Sequence, residues 1–146
     1  MKRFLLLGLI FALALAACAP KPQEPAANFL KVSDGTVEKT YTAEDLKTLG
    51  AVQATFKDVT YVGVTLTALL ADAGIDSTSL TAVKAMASDG FTANYDSSLY
   101  AREDTIVAYA RMDGPLGEDE MPFRMVLPNE DGKMNPRQLT EIIAIP

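Results

Sequence analysis

The 146-residue chain contains no histidine, and its one cysteine is Cys18. The first absence excludes Ser-His-Asp catalysis, the common zinc sites and histidine-ligated haem. The second excludes an internal disulfide or a thiolate metal cluster within a mature monomer. Positive charge is also scarce: 13 Lys and Arg face 19 Asp and Glu, a net of −6. Without a basic surface, nucleic acid is excluded as a partner. Glu118-Asp119-Glu120 lacks the alternating acids and central glycine of a calcium loop and reads as a solvated, repulsive surface. Past the N-terminal run there is no apolar stretch near the ~20 residues that a spanning helix needs.

What is present begins with a leader. Met1-Lys2-Arg3 is basic, Phe4 to Ala17 is uncharged and apolar, and the run closes on small residues, the three-part layout of an export signal over residues 1–17. Leu15-Ala16-Ala17-Cys18 resembles the lipobox of bacterial lipoproteins, which implies diacylglycerol on Cys18 and a mature chain that starts there. Each buried methylene contributes about 0.8 kcal/mol, so two or three acyl chains hold a protein on a bilayer where one is marginal. Residues 18–27 carry Pro20, Pro22 and Pro25 and read as an extended tether. Residues 28–146 have the size of one domain. Removing Lys2 and Arg3 with the leader leaves 11 basic against 19 acidic residues, a net of −8.

Within the domain, Phe29 to Ser33 and Val37 to Tyr41 flank Asp34-Gly35, the pattern of a hairpin. Thr42 caps a short helix that carries acids in its first turn and stops at Gly50. Val52 to Val62 is predicted as a strand; Leu66, Leu69, Leu70 and Ala73 follow at helical spacing to Gly74. Gly63 is expected to permit a tight turn from strand into helix, and Gly90 a positive backbone angle. Leu80 to Ser88 reads as a strand leading into a loop, Ser88 to Tyr95. Thr105 to Met112, Phe123 to Pro128 and Leu139 to Ile145 complete the strands. Long β segments broken by two short helices predict an α+β domain with a mixed β-sheet.

Four stretches in order resemble the molybdopterin-binding domain of the sulfite oxidase family, in a stand-alone form. They are Tyr41 to Leu46; Tyr61-Val62-Gly63-Val64-Thr65-Leu66-Thr67-Ala68-Leu69-Leu70 with Ala73-Gly74; Ala87-Ser88-Asp89-Gly90-Phe91; and Val107-Ala108-Tyr109 through Asp113-Gly114 to Phe123-Arg124-Met125-Val126-Leu127-Pro128. Leu139-Thr140-Glu141-Ile142 is similar to the closing strand of that family. The resemblance implies a cofactor groove, and the candidate pocket residues are Tyr61, Ser88, Asp89, Phe91, Tyr95, Arg124, Lys133 and Arg137, with Asp89 before Gly90 reading first as turn chemistry.

Departures from the family pattern bear on the chemistry. Its enzymes ligate molybdenum through a cysteine shortly before the Gly63 motif, and Gln53 to Val59 holds none. Histidines and basic residues hold the pterin phosphate there; here Lys133 and Arg137 stand where a lysine-tryptophan pair is usual. Without the thiolate, the ligand that fixes the metal's geometry and potential is gone. The expectation is therefore no metal site and no catalytic residue, with molybdopterin implied by resemblance alone.

Two functions follow. One is a non-catalytic binding or accessory lipoprotein on the extracytoplasmic face, partnered by membrane lipid through Cys18 and by an envelope redox or transport protein. The other is a subunit of an extracytoplasmic oxidoreductase that still binds a pterin or another redox cofactor through Arg124, Lys133 or Arg137. A purely structural envelope protein predicts no pocket. Ala19-Pro20 lacks the aspartate that resembles an inner-membrane retention signal, which favours the outer membrane where there are two. Glu103-Asp104 and Glu130-Asp131, adjacent in sequence and so divergent, read as solvated turn residues and not as an acid/base pair.

Overall fold

Asp34 closes a tight turn: its Oδ1 accepts the amides of Thr36 at 2.8 Å and Val37 at 2.7 Å, and Gly35 takes φ of 87°. The turn joins β1 (Leu30–Ser33) to β2 (Glu38–Tyr41) as an antiparallel hairpin. The structure is a computed structural model that describes residues 28–146. The export signal expected over residues 1–17, the tether over 18–27 and Cys18 lie outside the described residues.

Helix α1 (Ala43–Thr48) starts in a capping box, with Thr42 Oγ1 accepting the Asp45 amide and Asp45 accepting the Thr42 amide at 2.8 Å. It buries Leu46 and ends before Gly50 at φ 97°. The segment expected as one strand from Val52 to Val62 is a hairpin, β3 (Val52–Phe56) and β4 (Val59–Thr65). Lys57 (φ 47°) and Asp58 (φ 64°) make its two-residue turn without a glycine. Helix α2 (Leu66–Asp72) follows directly, capped by Thr65, and packs Leu66, Leu69 and Leu70 fully into the core. Each such side chain contributes about 1.5–3 kcal/mol by leaving water.

Gly63 serves a different purpose from the one expected. It lies inside β4, at a register shift against β7 (Ile106–Arg111), and a Cβ there would stand 2.1 Å from the Val107 carbonyl oxygen. The glycine admits the backbone of the neighbouring strand.

Beyond β5 (Ala82–Ala87) the expected loop is a turn followed by β6 (Thr92–Tyr95), which pairs with β5. Asp89 Oδ1 accepts the Phe91 amide and Gly90 has φ 85°, so the chain reverses in few residues. Helix α3 (Ser97–Tyr100) has no counterpart among the expected elements; β8 (Gly114–Pro115), β9 (Arg124–Val126) and β10 (Leu139–Ile145) complete the chain. Among the described residues no helix is long and apolar enough to cross a membrane.

Among the described residues two sheets form where one was expected. The first runs β2-β1-β10-β5-β6 and is mixed, because β1 and β10 pair in parallel. The second runs β3-β4-β7-β8, with β9 also on β7, and its pairings are antiparallel. The larger core takes Leu30, Val83 and Ile142 from the first sheet, Val64, Val107 and Met125 from the second, and the buried faces of α1 and α2. A smaller cluster of Ala54, Tyr61, Ile106, Ala108, Leu116 and Val126 covers the opposite face of the second sheet. The candidate site is built on that face.

Candidate functional site

Period-two alternation along β9 sends Met125 into the larger core, and Arg124 with Val126 to the other face. There Arg124 is 4% exposed, beside Tyr61 at 2%. A guanidinium so deep needs a counter-charge, and Glu120 supplies it at 3% exposure. Arg124 Nη1 donates to Glu120 Oε1 at 2.6 Å and to the Tyr61 hydroxyl oxygen at 2.8 Å, while the Tyr61 hydroxyl donates to Glu120 Oε1 at 2.7 Å. The second carboxylate oxygen accepts Arg111 Nε and the Gly117 amide, each at 2.9 Å. Arg124 also stacks its guanidinium 4.5 Å from the Tyr61 ring centre and 5.5 Å from that of Phe56.

Burial alone would raise the Glu120 carboxyl, but the bonds from Tyr61, Gly117, Arg111 and Arg124 outweigh it and hold it at about 2. Burial, then the bond to Glu120, pushes the Tyr61 hydroxyl above its ordinary value. Two guanidinium groups against one carboxylate leave the cluster a net positive charge. Among the described residues no buried side-chain nitrogen or oxygen lacks a hydrogen-bond partner.

Asn135 orders the loop above this floor. Its Oδ1 accepts the Leu127 amide at 2.7 Å and its Nδ2 donates to the Asp131 carbonyl at 3.0 Å. Arg102 fixes the start of the same loop by binding Asp104, Glu130 and the Pro128 carbonyl. Asp104 and Glu130, expected as solvated turn residues, thus share one guanidinium.

Two adjoining clefts open here. One, of about 380 Å³, is lined by Phe56, Lys57, Val59, Tyr61 and Arg124 together with Gly132, Asn135 and Arg137. The other, of about 330 Å³, is lined by Ala87, Asp89, Phe91, Asp119, Pro136 and Gln138, again with Gly132, Asn135 and Arg137. Among the described residues the first lining holds three cations and no carboxylate. That is a concentration of positive charge, since residues 28–146 carry 10 basic and 18 acidic residues once Lys2, Arg3, Lys21 and Glu24 are taken from the chain's 13 and 19.

Of the eight pocket residues proposed from sequence, five line these clefts: Tyr61, Asp89, Phe91, Arg124 and Arg137. Ser88 stands beside them, its Oγ donating to Gln138 Oε1 at 3.1 Å. Tyr95 belongs to the core: it is fully buried and its hydroxyl donates to the Met134 carbonyl at 3.0 Å. Lys133 points to solvent, 3.8 Å from Asp131, and lines neither cleft. Glu118-Asp119-Glu120 is not a uniformly solvated run. Glu120 is the buried counter-ion and Asp119 pairs with Arg137. Sequence reasoning also missed Phe56, Lys57 and Asn135; the one available signal for Glu120 was its spacing of four from Arg124. Among the described residues no group of three or more His, Cys, Asp or Glu is placed to hold a metal ion.

A family model described as an oxidoreductase molybdopterin binding domain matches residues 22–146. Among solved structures, the chain is similar to the sulfane dehydrogenase SoxCD from Paracoccus pantotrophus, with a TM-score of 0.68 and 19% sequence identity. The alignment covers 80% of this chain and 38% of that chain. The likeness establishes the fold, an α+β domain of the sulfite oxidase type. No curated protein sequence matches.

Proposed function

Because the chain belongs to the oxidoreductase molybdopterin-binding domain family, we propose that it is a binding module, a lipid-anchored extracytoplasmic protein whose groove takes a ligand or partner in place of a molybdenum centre. The observation that carries the reading is the donor set around the clefts. Residues 28–146 contain neither cysteine nor histidine, so a molybdenum held by a protein thiolate does not fit. Tyr61 and Arg124, which line the cleft, are bonded to each other and to the buried Glu120, which spends the deepest polar groups on the fold itself.

The anchor rests on Leu15-Ala16-Ala17-Cys18 and on the proline-bearing tether that follows. Such a tether holds the domain clear of lipid headgroups, within reach of an envelope redox or transport protein. A Cys18→Ser chain is expected to leave the membrane fraction and to take up no labelled acyl chain.

A second reading, a subunit of an extracytoplasmic oxidoreductase that holds a pterin, is favoured by one feature: Phe56 and Tyr61 lie beside Lys57 and Arg137 in a single cleft. One measurement separates the two. The full chain is extracted in detergent from cells that make the family's cofactor, and its molybdenum and pterin contents are determined. The binding module predicts less than a tenth of an equivalent of either. Stoichiometric pterin moves the conclusion to the second reading, and stoichiometric molybdenum overturns both the module and the argument from donors.

A further inference from the structure

Among the described residues Arg137 is the one charged residue that lines both clefts, and its guanidinium is engaged by the Asp119 carboxylate. Asp119 lines only the 330 Å³ cleft. Among the described residues the 380 Å³ cleft presents Lys57, Arg124 and Arg137 with no acid of its own. Arg124 is already committed to Glu120, so the cationic groups left for a ligand are Lys57 and Arg137. We propose that Asp119 is an internal competitor for the groove's anionic ligand: it occupies Arg137 when the groove is empty and yields the guanidinium when an anion binds. This rests on the binding-module reading and adds to it the charge of the ligand and the contact that regulates it.

The pair is built to exchange. Its side chains are 55% and 66% exposed, so both ions remain hydrated and little is lost in separating them. The backbone beneath them is fixed, because the Gln138 amide donates to the Glu120 carbonyl at 3.1 Å and the Leu139 amide to the Phe123 carbonyl at 2.7 Å. Release of Asp119 is therefore a rotation of side chains and leaves the fold unchanged. A phosphate or carboxylate group reproduces the paired acceptors that a guanidinium seeks, so it is the ligand chemistry that displaces Asp119. Phe56 in one cleft and Phe91 in the other offer apolar surface to the rest of such a ligand.

The test is a chemical-shift titration of the full chain with inorganic phosphate at low ionic strength, on four proteins. The wild type is expected to bind weakly, and Asp119→Asn to bind up to about fivefold more tightly, the release of an exposed ion pair. Glu118→Gln removes the same charge one residue away, from an exposed position that lines neither cleft, and is expected to match the wild type. Arg137→Met is expected to lose binding. If Asp119→Asn binds no more tightly than Glu118→Gln while Arg137→Met does not bind, the competitor is wrong and the groove stands. If Arg137→Met binds as the wild type does, or if none of the four binds phosphate, the anionic ligand is wrong and the competitor fails with it, whereas the binding module itself falls only to stoichiometric pterin or molybdenum in the purified chain.

Discussion

Arg124 and Glu120 stand four residues apart, at 4% and 3% exposure, with Nη1 and Oε1 separated by 2.6 Å. Each is the reason the other can be buried. Arg124 reaches that depth because β9 alternates, and Glu120 reaches it from a loop that the Gly117 amide and Arg111 hold in place. Of the two only Arg124 lines the groove, and removal of the pair is expected to show in folding before it shows in binding.

Glu120→Ala leaves the Arg124 guanidinium buried without its counter-ion and is expected to destabilise the domain by about 3–5 kcal/mol. Removing both charges, in Glu120→Leu with Arg124→Met, restores an apolar environment and is expected to recover most of that loss. Urea unfolding of the three chains measures both. A double variant no more stable than Glu120→Ala would mean that the two charges do not act as a unit.

The same carboxyl makes stability depend on pH. Its folded value, about 2, lies below its ordinary 4.5, so the folded state binds the proton more weakly than the unfolded chain. The contribution is fully present above about 4.5 and is lost as pH falls towards about 2. Hydrogen bonds also hold other carboxyls low, Asp45 and Asp72 among them, so the Glu120 share must be read as a difference. Unfolding free energies of wild type and Glu120→Gln are expected to converge between about pH 5 and about pH 2.5. A constant gap across that range would place the carboxyl elsewhere.

Local signals in the sequence transferred well to the fold. Asp34-Gly35, the Thr42 capping box and Gly74 after α2 each act through a few neighbouring residues, and each stands in the structure where the sequence reading placed it. What was not legible depends on distant partners. The split into two sheets is decided by β1 pairing with β10 across most of the chain, which no local pattern encodes. Glu120 has the composition of a surface acid, and only the burial of Arg124 makes it a core residue. Tyr95 and Tyr61 are both strand aromatics, yet one faces the main core and the other the groove.

Gly63 illustrates the same limit and yields a prediction. A methyl group there would lie 2.1 Å from the Val107 carbonyl oxygen and 2.7 Å from the Ala108 Cα, both backbone atoms of β7. Gly63→Ala must therefore push β4 and β7 apart and is expected to cost about 3 kcal/mol. At Gly132 the same methyl would meet only the tip of Lys57, at an ordinary 3.7 Å, so Gly132→Ala is expected to be nearly neutral. Thermal unfolding of the two variants tests the contrast, and equal melting temperatures would refute it.

The turn between β3 and β4 was hidden because it carries neither the Asn-Gly nor the Asp-Gly signal of a two-residue hairpin loop. Phe56 pairs with Val59, leaving Lys57 and Asp58 both in the left-handed region. A residue with a Cβ meets steric resistance there that aspartate relieves only in part and glycine avoids. Asp58→Gly also loosens the unfolded chain, so its net effect is a gain of about 0.5–1 kcal/mol. Asp58→Val, branched at Cβ, is expected to lose at least as much. A raised melting temperature for the glycine variant and a lowered one for the valine variant are the expected pair of results. The reverse order would mean that the strain at this turn is offset by a contact of the Asp58 side chain.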